Sequence, residues 1–219
     1  MSEPAQQSAS DSRSPETADA AISDQRLLRG ARARRTIARH AVDVASLDGL
    51  SGLSLGRLAT DLNLSKSGIQ ALFGAKENLQ LAAVESAREQ FIDAVVRPAQ
   101  AAAQGAARLR ALVEQWIIYA ETPLFPGGCF WAANLADFDS RPGKVQDALF
   151  QQHHDWVTLL ADELRHAAAA GEITSLDADL AAFQIDAALM ATNTALRLGD
   201  HTAADKARRI TEELLTPRR

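Results

Sequence analysis

Ser65, Lys66, Ser67 and Gly68 place two hydroxyls, one ammonium and one residue without a side chain in consecutive positions. At the first turn of a helix, small donors and a single cation let the helix N-terminus approach phosphates and base edges in a DNA major groove. The flanking residues supply that helix. Ser65 stands as an N-cap, and Ile69, Leu72 and Phe73 form an inner face. Upstream, Leu55, Leu58, Ala59 and Leu62 recur at helical spacing behind a second cap, Ser54. Asn63 and Leu64 break the pattern between the two, because Asn tolerates the left-handed conformation of a sharp turn. The stretch 55–73 therefore predicts a helix, a tight turn and a second helix with a small polar front. An ordinary αα-corner has the same pattern.

Charge separates the two readings. From Arg26 to Arg39 the chain carries six arginines, at 26, 29, 32, 34, 35 and 39, and no acidic residue. Residues 1–25 hold one basic and five acidic side chains, 26–76 nine and three, and 77–219 thirteen and twenty. A solvated helix face mixes signs, whereas a locally positive module on an acidic body is the footprint of a nucleic-acid reader.

The run TIARHAVDVASLDGLSGLSLGRLATDLNLSKSGIQALFGAKENLQLAAVE resembles the N-terminal DNA-binding domain of the TetR (TetR/AcrR) family of one-component transcriptional regulators. The resemblance rests on an amphipathic first helix (Ile37, Ala41, Val44) ending at Gly49 and on the Ser54 cap. It continues through Ser65-Lys66-Ser67 at the start of the recognition helix, Phe73, and Lys76-Glu77-Asn78-Leu79 opening helix four. One departure stands out: the family usually has aromatics and a His before the closing Phe, where this chain has Gln70, Ala71 and Leu72. Gln70 either reads adenine through its amide or is solvated. The DNA-contacting set expected from this reading is Arg29, Arg32, Arg34, Arg35, Ser54, Leu55, Arg57, Ser65, Lys66, Ser67, Gly68, Gln70, Ala71 and Lys76. A second segment, FPGGCFWAANLADFDSRPGKVQDAL, is similar to a C-terminal domain type of the same family, which implies an effector-binding and dimerising body.

At 219 residues, 47% of them hydrophobic, the chain has material for a small reader and one larger core. No segment is apolar for long enough to span a membrane. A single cysteine, Cys129, rules out an internal disulfide framework and suits a reducing compartment, so the expected location is the cytoplasm. Residues 1–25, rich in Ser, Ala, Gln and Asp, read as a disordered tail. The division expected is 1–25 tail, 26–75 helix-turn-helix DNA-binding domain, and 76–219 effector-binding and dimerisation domain.

Beyond Phe73 the periodicity is helical throughout, and no stretch alternates as a strand would, so the fold class is all-α: a three-helix reader before a helical bundle. Helices are predicted over Lys76–Gln100 with an interruption at Arg97-Pro98, over Ala106–Glu121, from the turn at Cys129 to near Phe138, from about Val145 to Gly171, over Asp177–Leu198 and over Thr202–Leu215.

Candidate effector contacts on these helices are Trp116, Tyr119, Phe125, Cys129, Phe130, Trp131, Asn134, His153, Trp156 and Met190. An aromatic or Met stripe at helical spacing is also what plain core looks like. Asn134 and His153 carry more information, since either one buried among aromatics needs a neighbour or a ligand as partner. His153 and His154 point about 100° apart on a helix and do not share a metal, so neither metal nor cofactor is expected. On the penultimate helix one apolar stripe is Leu180, Phe183, Ala187 and Met190, and another is Ile185, Leu189, Thr192 and Leu196. One face packs on its own body and the other needs cover. The expected two-fold interface is Ile185, Leu189, Thr192 and Leu196 with Ala207, Ile210 and Leu214.

The enzyme class finds little here: there is no G-x-S-x-G elbow, no P-loop and no H-E-x-x-H, and no catalytic residue is assigned. The function expected is a ligand-responsive transcriptional regulator, a homodimeric repressor released from a double-stranded DNA operator by a small molecule. The alternative is a helical enzyme or redox sensor using Cys129, whose place at a helix start would lower its pKa.

Overall fold

The computed structural model describes residues 15–174 and 176–216, and every regular element among them is helical. The first helix, α1 (Pro15–Asp48), has an inner face in its second half, where Ile37, Ala38, Ala41, Val42, Val44 and Ala45 are buried. It begins inside the stretch expected to be a tail. Proline suits a first helical position, and Ala18, Ala20 and Ala21 are strong helix formers, so residues 15–25 continue into the helix that follows. Residues 1–14 lie outside the described residues.

Gly49, at φ 72°, ends α1 and leads into a 3₁₀ turn, Leu50–Gly52. In α2 (Leu55–Asp61) the Ser54 hydroxyl accepts from the Arg57 N–H at 3.1 Å, and in α3 (Lys66–Phe73) the Ser65 hydroxyl accepts from the Gly68 N–H at 3.0 Å. Asn63 makes the turn between them at φ 51°. Each cap satisfies an N–H that a helix start otherwise leaves open.

From α4 (Lys76–Phe91) the chain runs through a π segment, Ile92–Val96, into α5 (Arg97–Ala99). The interruption expected at Arg97-Pro98 is therefore not a break. Pro98 brings no N–H and its ring crowds the preceding turn, and the wider π turn lies where that crowding falls. The body follows as α6 (Ala106–Glu121), α7 (Phe130–Phe138), α8 (Lys144–Ala169), α9 (Ala178–Arg197) and α10 (Ala203–Leu215).

Two carboxylates cap α6 from across the bundle. The Gly105 N–H donates to Glu163 at 2.7 Å and the Ala106 N–H to Glu172 at 2.8 Å, placing negative charge at a helix N-terminus. Arg208 of α10 grips Glu114 of α6 through two bonds at 2.8 and 2.9 Å, and Arg110 of α6 grips Glu212 of α10 at 2.6 and 3.0 Å. The bundle packs α8 against α4, α6, α7 and α9, and α1 lies against α4 and α7, which joins the helix-turn-helix to the body. Among the described residues no helix is long and apolar enough to cross a membrane.

Candidate functional site

The first turn of α3 presents Lys66, Ser67 and Gly68 to solvent, followed by exposed Gln70 and Ala71, while Ile69 and Phe73 anchor the helix beneath them. Ser54 and Ser65 are spent as caps, and Leu55 is half-buried against the core. The arginines differ among themselves. Arg34 donates to the Leu72 carbonyl at 2.6 Å and its guanidinium lies 4.5 Å from the centre of the Phe73 ring, so it holds the C-terminal end of α3 rather than pointing outward. Arg57 bonds Asp48 and lies 3.7 Å from Asp61, which compensates its charge. Lys76 donates to the Ser51 carbonyl at 2.6 Å, and the Gln70 amide closes onto the Gly74 carbonyl. Arg29, Arg32 and Arg35, three residues apart along α1, are exposed and form no ion pair among the described residues. They, Arg39 and Lys66 are the cations left facing outward among the described residues of this module.

In the body, Phe91, Trp116, Cys129, Trp131, Gln152, His153, Trp156 and Met190 enclose a space of about 10 Å³, room for about one water. Six of these are among the ten residues expected from the sequence: Trp116, Cys129, Trp131, His153, Trp156 and Met190. Phe91 is the hub of the aromatic wall, meeting Trp131, Trp156 and Tyr119 edge to face at 5.1, 5.3 and 5.5 Å. Tyr119, Phe125 and Phe130 stand behind the wall as core; the Tyr119 hydroxyl accepts from the Phe130 N–H at 3.1 Å. Burial, with the Cys129 thiol adding to it, pushes the Tyr119 phenol well above its ordinary pKa.

Polar groups around this space are poorly matched. His153 bonds one oxygen of Asp186 at 2.9 Å, but the other, Asp186 Oδ1, has no partner. Trp131 Nε1, Trp156 Nε1 and Gln152 Oε1 are also buried and unpartnered. These four are all the buried side-chain polar atoms without a partner among the described residues, and three of the four residues line the same space. Phe91, Gln152 and Asp186 are missing from the set read off the sequence. Phe91 hid in the stripe of the linking helix, while a lone acid between Ile185 and Ala187 was a signal that could have been read.

Asn134 faces elsewhere. Its side chain accepts from the Leu50 N–H at 2.6 Å and donates to the Ala45 and Phe130 carbonyls at 3.2 and 2.8 Å, so its partners are backbone groups and it does not line the cavity. One turn on, Asp137 accepts from the Ser51 hydroxyl at 2.5 Å and its N–H at 3.3 Å, and Arg141 donates to the same hydroxyl at 2.5 Å. The Phe125–Cys129 turn is seated on the other side. The Gly127 N–H donates to the Ser46 hydroxyl at 2.9 Å, and a Cβ at Gly127 would stand 1.8 Å from the Ser46 carbonyl oxygen. The Cys129 N–H donates to Asn193 at 2.8 Å. Thus α7 and the turn before it clasp the end of α1.

Cys129 is buried, and burial pushes its thiol up in pKa; the N–H groups of Ala132 and Trp131 at the start of α7 pull the other way but less. The depressed pKa that a redox sensor would need is not found here.

The expected dimer residues divide. Ile185, Leu189, Thr192 and Ala207 are buried within the subunit, Leu196 and Leu214 are half-buried, and Ile210 is exposed. The inward face of α9 is set by its polar residues, since Asp186 and Asn193 find their partners, His153 and the Cys129 N–H, inside the subunit. The exposed stripe is instead Leu180, Phe183, Ala187, Ala191, Thr194 and Leu198.

Residues 105–211 match the family model described as the tetracyclin repressor-like, C-terminal domain. No curated protein matches the sequence. Solved structures share the fold. A TetR transcriptional regulator from Chloroflexus aurantiacus J-10-FL is 22% identical, with 86% of this chain and 97% of that one covered and a TM-score of 0.80. A TetR-family regulator from Agrobacterium tumefaciens is 16% identical over 84% and 99%, with a TM-score of 0.75. AibR, solved in complex with isovaleryl coenzyme A and operator DNA, is 18% identical over 84% and 99%, with a TM-score of 0.69. The chain has the TetR-family fold, an N-terminal helix-turn-helix before a helical C-terminal domain.

Proposed function

We propose that this protein is a ligand-responsive DNA-binding transcriptional regulator, a repressor that leaves its operator when a small molecule enters the body. The observation that carries the reading is the exposed, capped first turn of α3, with Lys66, Ser67 and Gly68 outward on a module whose remaining free cations are arginines of α1. AibR carries an acyl coenzyme A and operator DNA on this same fold. The boundaries proposed are a reader over 26–75 and an effector and dimerisation domain over 76–219, acting in the cytoplasm on double-stranded DNA with no cofactor and no catalytic step.

Two elements connect the enclosed space to the reader. Phe91 stands at the end of α4, whose other end follows α3 directly. Trp131 stands on α7, whose Asn134 and Asp137 hold Leu50 and Ser51. A molecule that separates Phe91 from Trp131 therefore pushes on both attachments of the reader at once. In a dimer this changes the distance between two recognition helices, which must sit about 34 to 36 Å apart to enter successive major grooves. The surface proposed for dimerisation is the exposed α9 stripe with Phe183 and Leu180 at 65% and 55% exposure, joined by Ile210 of α10.

Gel-shift titration at fixed salt against the DNA beside its own coding sequence tests the reading. Lys66→Ala is expected to lose about 1 to 3 kcal/mol of specific binding with unchanged fold. Phe183→Asp is expected to give a folded monomer by light scattering that binds the same DNA at least tenfold more weakly. Wild-type protein that retards no fragment, or a wild-type monomer at micromolar concentration, would sink it.

A further inference from the structure

Resting on the reading that the enclosed space is the effector site, we infer that the effector is a small uncharged ring compound bearing a hydroxyl group. The wall is aromatic and aliphatic: Phe91, Trp116, Trp131, Trp156 and Met190 supply rings and a flexible thioether, and no lysine or arginine lines it. A ring meets such a wall edge to face, as Phe91 already does with three neighbours. The unpartnered atoms on the lining then specify the polar group. Two are donors, the indole N–H groups of Trp131 and Trp156, and one is an acceptor, Gln152 Oε1. Trp131 and Trp156 are only 6% and 7% exposed, so water does not satisfy them from outside. A hydroxyl is the smallest group that accepts from an indole N–H and donates to an amide oxygen such as Gln152 Oε1.

Charge narrows the class further. A carboxylate ligand would meet the Gln152 carbonyl with no lysine or arginine on the lining, and His153 Nε2 is already bonded to Asp186. A coenzyme A thioester brings phosphates for which the lining has no lysine or arginine. An ammonium carries donors only, so it would leave both indole N–H groups unmet. Size sets the last limit. With about 10 Å³ free, entry requires side chains to move, and half-buried Met190 is the member of the wall with the most rotamer freedom.

The chain's three tryptophans all line this space, so intrinsic fluorescence reports on it alone. Full-length protein excited at the red edge of the indole band is titrated with benzyl alcohol, toluene, benzoate and benzyltrimethylammonium. Benzyl alcohol is expected to give a saturable change, with toluene at least fivefold weaker and neither ion saturating. Trp156→Phe keeps the ring and removes one donor; it should weaken benzyl alcohol at least threefold and leave toluene unchanged. Tighter binding of either ion, equal binding of toluene, or saturation by none of the four overturns the inference. The same titrations in the gel shift keep the two readings apart. Failure of all four probes with DNA binding intact removes the ligand class and leaves the regulator standing. Saturable benzyl alcohol binding without any DNA retardation removes the regulator instead, and binding that leaves an observed DNA complex unaltered removes the effector role.

Discussion

The clasp around the end of α1 and the aromatic space between α4, α7, α8 and α9 share helix α7, yet they treat polar groups in opposite ways. At the clasp, Asn134, Asp137, Ser46 and Ser51 all find partners, most of them backbone groups. One turn away, two indoles, an amide oxygen and a carboxylate oxygen have none. A satisfied buried network fixes one geometry, because loosening any member exposes several unmet groups. An unsatisfied one leaves free energy to be recovered by whatever supplies the missing partners. The clasp is thus suited to transmit a displacement and the space to receive its cause.

The contrast is sharpest at Gly127. Replacing it with Ala forces a Cβ to within 1.8 Å of the Ser46 carbonyl, and backbone rather than a flexible side chain must yield. The expected cost is about 4 kcal/mol, seen as a lower urea midpoint. Asn134→Leu keeps the branching and the number of side-chain heavy atoms but strands the Leu50 N–H and the Ala45 carbonyl; a loss of about 2 to 4 kcal/mol is expected by the same measurement. A loss below about 1 kcal/mol would mean that the clasp is not the rigid partner in the comparison. Arg34→Ala removes the bond to Leu72 and the stacking on Phe73, with about 1 kcal/mol expected and a weaker DNA complex, because the far end of α3 loses its stay. At the small end, Trp156→Phe deletes a donor that has no acceptor. It should cost no more than the smaller ring does, about 1 kcal/mol, and a much larger loss would show that the indole N–H is satisfied after all.

What the sequence makes legible here is what is decided locally. Ser54 and Ser65 cap, and Asn63 and Gly49 turn, because each acts on N–H groups or dihedrals within a few residues. The facing of α9 is not local. Periodicity offers two stripes, and Phe183 looks the more buried of the candidates until His153 and the Cys129 N–H, far away in the chain, draw Asp186 and Asn193 inward. Arg34 and Asn134 are illegible for the same reason, since an arginine in a basic run reads as a phosphate contact until the Leu72 carbonyl is seen beside it. Pro98 looks like a helix breaker in any window too short to include a π turn.

That π turn bears on the phase of the helix. Leu79, Ala83, Ala87, Phe91, Val95 and Ala99 are all buried, a strict period of four carried from the reader's edge to the end of α5. On an α-helix of about 3.6 residues per turn such a row drifts by roughly 40° at each step and would wind out of the core within a few repeats. The wider winding of Ile92–Val96 turns it back, so that the row stays buried on both sides of Phe91. Shortening that segment by one residue would leave a continuous, regular helix whose two ends no longer agree on which side is inside.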